Sequence, residues 1–233
     1  MQPPKPKIAI IFYSMYGHVL KLASAEKQGI EGAGGSSDLF QIDETLSKAV
    51  LDKMAALDSQ LKEEIPHIKP EDMKQYDAFL FGVPTRFGNM PGQWKVVLHI
   101  EIHDGGVTGF QAFWDKTGKL WKEGSLAGKY AGIFFSTSTL GGGQEMTASS
   151  MMSTLVHHGI IYVPFGYSQS FHLLGNLNEV HGGSAWGAGT LSGPDNSRLV
   201  SEVELDMATL QGKQFYEILS KVKFSSHEGV LTA

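Results

Sequence analysis

The chain of 233 residues has no cysteine. Disulfides, thiolate metal sites and thiol nucleophiles are excluded, and the composition fits a cytoplasmic protein. An excess of positive charge is also missing: 19 Lys and Arg stand against 24 Asp and Glu, for a net charge of −5. No basic cluster is dense enough to form a nucleic-acid face. Nor is there a long apolar run. The first, 8–13, is far too short to span a bilayer and has no signal-peptide cleavage pattern behind it, so a soluble protein without integral membrane association is expected. What is present suffices for a core: 42% of residues are hydrophobic and 18% charged, a balance that disfavours disorder. The 28 glycines gather in loops, which points to ligand sites built from backbone.

Four apolar runs have strand length, at 8–13, 78–83, 130–136 and 160–165, and a weaker one lies at 38–42. Their apolarity is continuous rather than alternating, as in parallel strands buried on both faces. Helical periodicity falls between and after them, at 18–33, 146–158 and 202–223. Alternation of strand and helix predicts right-handed βαβ units in one doubly wound α/β sheet. No linker or repeat divides the chain, so a single domain is expected over 1–233, with its core at about 7–223 and a flexible tail at 224–233. The stretches 43–72 and 171–200 are long and irregular, the usual form of lids or interfaces.

In an open α/β sheet, ligands bind beyond the carboxyl ends of the strands. After the first strand, Ser14, Met15, Tyr16, Gly17, His18 and Val19 enter a helix. A hydroxyl, a glycine and free N–H groups there suit an anion, although an ordinary helix start reads the same way. Neither a Walker loop nor a Rossmann glycine fingerprint is present. After the third strand comes Pro84, Thr85, Arg86, Phe87, Gly88 and Asn89, stiffened further by Pro91. Its polar groups can bond a planar ring and Phe87 can pack on one; the alternative is a rigid turn with a surface arginine. After the fourth strand, Ser136, Thr137, Ser138, Thr139, Leu140, Gly141 and Gly142 expose further donors, or else form a flexible loop.

These segments carry a resemblance. Tyr-Ser-Met-Tyr-Gly-His at 13–18, Gly-Val-Pro-Thr-Arg-Phe-Gly-Asn at 82–89, Gly-Gly-Gly-Gln-Glu at 141–145, Leu-Val-His-His-Gly at 155–159 and Gly-Ala-Gly-Thr at 187–190 are similar to the WrbA-type NAD(P)H:quinone oxidoreductases, most of all the fungal ones. The resemblance implies a flavodoxin-like five-stranded sheet of order 2-1-3-4-5, with FMN at the switch point between strands 1 and 3. It implies that 14–19 hold the FMN phosphate, that 84–89 bind the cofactor with Thr85, Arg86 and Phe87 lining the isoalloxazine and 136–142 its other edge, and that His157 belongs to the flavin site. Tyr16 would lie near the nicotinamide and Trp121 in the substrate site. Apart from the resemblance, His157 reads as a helix C-terminal residue and Trp121 as a partly buried aromatic. Ser138 stands where bacterial members often have glycine, and Leu140 is an extra residue before the glycines. NADH or NADPH would be the donor and quinones the substrates, reduced by two electrons in ping-pong fashion within a homotetramer whose aromatic residues cover a neighbouring flavin. No acid–base residue is assigned and no metal is called for. The competing class is a flavodoxin that only relays electrons.

One stretch departs from the pattern. In the family, Gly-Gln-Trp-Lys is followed almost at once by Phe-Trp-Asp-Lys-Thr-Gly. Here 92–95 and 113–118 carry these sequences, with 96–111 between them. Valine codons begin with GT and a glutamine codon can be CAG, so the insertion is read as a translated intron, with a lineage-specific loop as the alternative.

Overall fold

Strand β1 (Ile8–Phe12) is buried along its whole length. Its side chains alternate between two cores, Ile8, Ile10 and Phe12 on one face and Ala9 and Ile11 on the other. That double burial is why the run is continuously apolar, and it makes β1 the middle of the sheet. The computed structural model describes residues 5–56, 64–95, 99–103, 106–110 and 112–224. β1 pairs in parallel with β2 (Ser37–Gln41) on one side and β3 (Ala78–Pro84) on the other. A separate antiparallel hairpin follows, β4 (His99–His103) with β5 (Gly106–Phe110). β6 (Tyr130–Thr137) then returns to the main sheet beside β3.

The outer position beside β6 is shared. β7 (Ile161–Tyr162) pairs with Tyr130 and Ala131, and β8 (Gly189–Leu191) pairs with 135–137. The sheet therefore has five positions in the expected order 2-1-3-4-5, the last filled by two short strands. The strand expected at 160–165 makes its last ladder bond at Val163, whose N–H donates to the Ala131 carbonyl at 2.8 Å; the next carbonyl in register, that of Ile133, accepts from Gln211 Nε2 instead.

Helix α1 (His18–Gly32) and α6 (Glu202–Leu219) cover one face of the sheet. They touch backbone to backbone: a Cβ at Gly29 would lie 1.9 Å from the Thr209 carbonyl oxygen, so only glycine fits there. α6 begins in a capping box, in which Ser201 Oγ accepts from the Glu204 N–H and Glu204 Oε2 accepts from the Ser201 N–H. It ends at Leu219, four residues before the periodicity does. α4 (Gln144–His157) lies on the other face, whose core includes its Ala148, Met151 and Leu155. The irregular stretches contain α2 (Lys48–Lys53), a 3-10 turn at Pro70–Gln75 and α5 (Phe171–Leu174), and α3 (Gly118–Lys122) precedes β6.

The flanks of the insertion meet. The Phe113 N–H donates to the Gln93 carbonyl at 3.1 Å, and Trp94 packs edge-on against Phe113 with centroids 5.3 Å apart. Phe81 of β3 contacts both Trp94 and Trp114, so the residues around the insertion close one aromatic cluster under the sheet. Of the insertion itself, 96–98, 104–105 and 111 lie outside the described residues, as does the expected tail from 225 onward.

Candidate functional site at the carboxyl edge of the sheet

A cavity of about 410 Å³ opens beyond β1, β3 and β6. That is the usual scale of a small-molecule site, and strand order reverses at the β1/β3 boundary, where such sheets bind ligands. Ser14, Met15, Tyr16, His18 and Val19 line it from the first loop. Pro84, Thr85 and Arg86 come from the second, and Ser136, Thr137 and Ser138 from the third.

The first loop is built around Gly17, which caps α1 with a left-handed φ of 87° that a side chain would disfavour. No side chain caps the helix there. Ser14 Oγ is buried and has no hydrogen-bond partner. A positively polarised helix end and an unsatisfied hydroxyl thus face the same space, the arrangement that suits a phosphate. His18 Nε2 lies 2.7 Å from the Arg198 carbonyl oxygen. A carbonyl only accepts, so this nitrogen carries the hydrogen.

In the second loop, the N–H of Arg86 and the carbonyl of Asn89 bond at 2.7 Å, and the reverse pair at 3.1 Å, which closes a tight turn. Phe87 at its tip has φ 53° and is 93% exposed, and the Arg86 guanidinium sits 4.8 Å from its ring centre. Gly88 and Asn89 complete the turn without lining the cavity. The Thr85 N–H donates to the Ser136 carbonyl at 2.7 Å, and Thr85 Oγ1 shares a hydrogen with Thr147 Oγ1 at 2.9 Å, so the second loop is fixed to the third. In the third loop the Gly142 N–H donates to the Thr139 carbonyl. Thr139, Leu140, Gly141 and Gly142 form this turn beside the cavity, and Leu140 is exposed next to it.

Two expected site residues are placed elsewhere. Trp121 is 57% exposed on α3, two residues before Glu123, which pairs with Lys74 just ahead of β3. His157 is exposed at the end of α4, beside His158, whose ring lies against Trp114. Both stand at the amino-terminal end of the sheet, opposite the cavity of their own chain.

Other walls were not expected. Ser192, Pro194 and Asn196 face the cavity from the loop before α6. That loop is held by Glu204, which is fully buried and accepts from the N–H groups of Gly182, Leu191 and Ser201, from Thr190 Oγ1 and from Arg198 Nη1. Gln144 joins the network, donating to Thr137 Oγ1 and the Thr190 carbonyl and accepting from Gly183. The one sequence signal was the Ser201–Glu204 capping spacing, which predicts a helix start and not the inward reach of Glu204. Leu46 and Met54 wall the cavity from the segment after β2, and Tyr13 and Gln93 line it beneath them. Burial first, then the Glu44 carboxylate, push the Tyr13 phenol well above its ordinary range, so it stays a neutral donor. Among the described residues no group of three or more His, Asp or Glu could hold a metal, and no helix is long and apolar enough to cross a membrane.

Residues 10–159 match the Flavodoxin family. The chain is 51% identical over 216 residues to NAD(P)H quinone oxidoreductase PST3 of Candida albicans, covering 93% of this chain and 99% of that one. It is 54% identical over 217 residues to minor allergen Alt a 7 of Alternaria alternata, covering 93% and 98%. Among solved structures, a flavodoxin, WrbA-like protein from Agrobacterium tumefaciens superposes with a TM-score of 0.57 at 19% identity, covering 92% of this chain and 98% of that one, a likeness of fold. With the sheet order and sequence motifs already described, these matches place the chain in the flavodoxin-like family of WrbA-type NAD(P)H:quinone oxidoreductases, alongside its fungal members.

Proposed function

We propose that this chain reduces quinones to hydroquinones with NADH or NADPH, by two electrons and through bound FMN. The observation that carries the reading is the uncapped start of α1 with the unpartnered Ser14 hydroxyl, opening on a cavity at the β1/β3 switch point. That cradle fits one phosphate group, and the chain lacks a dinucleotide fingerprint, which favours FMN over FAD. Residues 14–19 would hold the phosphate, and Thr85 and Arg86 with 136–138, which line the cavity, would meet the isoalloxazine. Tyr16 would lie by the nicotinamide. Bound FMN supplies the chemistry of taking a hydride from the nicotinamide and giving it to the quinone. The protein's own part is orientation and the exclusion of water. Tyr13, held neutral beside Glu44, is a poor acid and is assigned no proton transfer.

One cavity serves both substrates in turn, so the kinetics are proposed to be ping-pong. A homotetramer in the cytoplasm belongs to the same proposal. The exposure of Trp121 and His157 at the far end of the sheet supports it, since those residues reach a flavin site only in another subunit. The test is spectroscopic, then kinetic. The purified chain should carry or take up FMN, lose the flavin's visible absorbance on addition of NADPH and regain it with benzoquinone. Double-reciprocal plots at several quinone concentrations should be parallel. Release of FAD would sink the cofactor reading, intersecting lines the shared cavity, and absence of turnover would leave an electron carrier.

For 96–111 the proposal is a translated intron. Its flanks touch across the Gln93–Phe113 hydrogen bond, so a chain joined from Lys95 to Ala112 can keep the aromatic cluster. That shortened chain should bind FMN at least as well and be no less active. Loss of activity, or a transcript population that uniformly keeps the stretch, would favour a true loop.

A further inference from the structure

We infer that Glu44 is a positioning residue that holds the segment 43–56 closed over the nicotinamide and quinone side of the cavity. The inference rests on the function proposed above and deepens it. Glu44 does not line the cavity, yet one carboxylate ties together the loops that follow three strands. Oε1 accepts from the Thr45 N–H at 2.8 Å, the Leu46 N–H at 3.0 Å and Gln93 Nε2 at 2.8 Å. Oε2 accepts from the Tyr13 hydroxyl at 2.6 Å. Tyr13 follows β1, Glu44 follows β2 and Gln93 follows β3.

The other bonds at this end of the segment are exposed: Asp43, with its side chain 60% exposed, meets His67 Nδ1 at 2.9 Å and Lys116 Nζ at 3.4 Å, and such pairs contribute little. α2 buries none of its residues, so core packing does not fix the segment. Its tether at the far end is the Tyr16 hydroxyl, which donates to the Met54 carbonyl at 3.1 Å. Leu46 and Met54, which wall the cavity, sit beside these two tethers. Hydrogen bonds to an ionised carboxylate are stronger than neutral ones, so the Glu44 end dominates. The Met54 tether comes from Tyr16, the residue proposed for the nicotinamide side. The hydrogen bonds of Glu44 go to Tyr13, Thr45, Leu46 and Gln93, and so to neither 14–19 nor 136–142. Loosening the segment should therefore weaken substrate binding while sparing the cofactor.

The full-length chain with Glu44→Ala, and with Glu44→Gln, decides this through hydrogen exchange, FMN titration and steady-state kinetics. In Glu44→Ala, exchange at the Thr45 and Leu46 amides should rise at least about tenfold while α1 and β1 stay protected. The FMN dissociation constant should stay within about twofold, KM for NADPH or benzoquinone should rise about tenfold, and kcat should hold within about twofold. Glu44→Gln keeps an accepting oxygen and should fall between the two. Unchanged exchange at Thr45 and Leu46, or an FMN constant that rises in step with KM, would overturn the inference. Lack of quinone turnover by the unmodified chain would instead sink the proposed function, and exchange with FMN titration would still decide the role of Glu44.

Discussion

Glu26 of α1 and Glu204 of α6 are both fully shielded from solvent, on helices that pack against each other, and their surroundings are opposite. Glu204 collects donors from four residues, Gly182, Thr190, Leu191 and Ser201, and from an arginine. Neither carboxyl oxygen of Glu26 has a hydrogen-bond partner. Burial pushes the Glu26 carboxyl well above the usual carboxylate range, so it is held as the neutral acid. The contrast shows that a buried acid organises its surroundings only where donors converge on it. At Glu204 the donors flank the loop that walls the cavity, with Arg198 inside it. At Glu26 the neighbours are the close-packed backbones of the helix seam, and the acid is tolerated there, with no structural work assigned to it.

The contrast breaks first at Glu204. Glu204→Ala strands the N–H groups of Gly182 and Leu191 and leaves the Arg198 guanidinium without its carboxylate. Removing one partner of a buried pair costs about 3–5 kcal/mol, and urea unfolding should report a loss of that order. FMN affinity should fall as well, because Ser192, Pro194 and Asn196 lose their support and Arg198 presents its carbonyl to His18. A stability change below about 1 kcal/mol would mean that the network is no stronger than exposed pairs.

Much of this was legible from sequence where one signal controls one feature. Continuous apolar runs located β1, β3 and β6 because each is buried on both faces. Glycines and hydroxyls at strand ends located the three loops of the cavity because the ligand-binding edge of such a sheet is set by topology. What was missed depends on residues far apart in the chain. Gly189–Leu191 becomes a strand by pairing with 135–137 of β6, beyond the stretch that β7 occupies. Ser192, Pro194 and Asn196 reach the cavity through the bonds of Glu204 to Gly182 and Leu191, and Leu46 through the Glu44 carboxylate that Tyr13 and Gln93 hold, by contacts that no local period encodes. Trp121 and His157 were expected from the resemblance, and in the single chain they lie away from the cavity.

Glu26→Met sharpens the same comparison with a smaller effect of opposite sign. Methionine matches the length of glutamate and needs no partner in the core. An unsatisfied buried polar group costs about 1–3 kcal/mol, so the variant should be more stable than the parent by that order at pH 7. The pH dependence separates this cause from simple repacking. Below the ordinary glutamate value of 4.5, the carboxyl is protonated in both folded and unfolded chains, and its ionisation adds nothing. Above that value the unfolded chain releases the proton while the folded chain keeps it, so the parent loses stability as pH rises toward the raised folded value. Methionine has no such linkage. The stability gap between variant and parent should therefore widen from pH 4 to pH 7 in urea titrations. A gap that stays constant over this range would show that Glu26 ionises alike in both states, and a less stable variant would show that the carboxyl has a partner in solution.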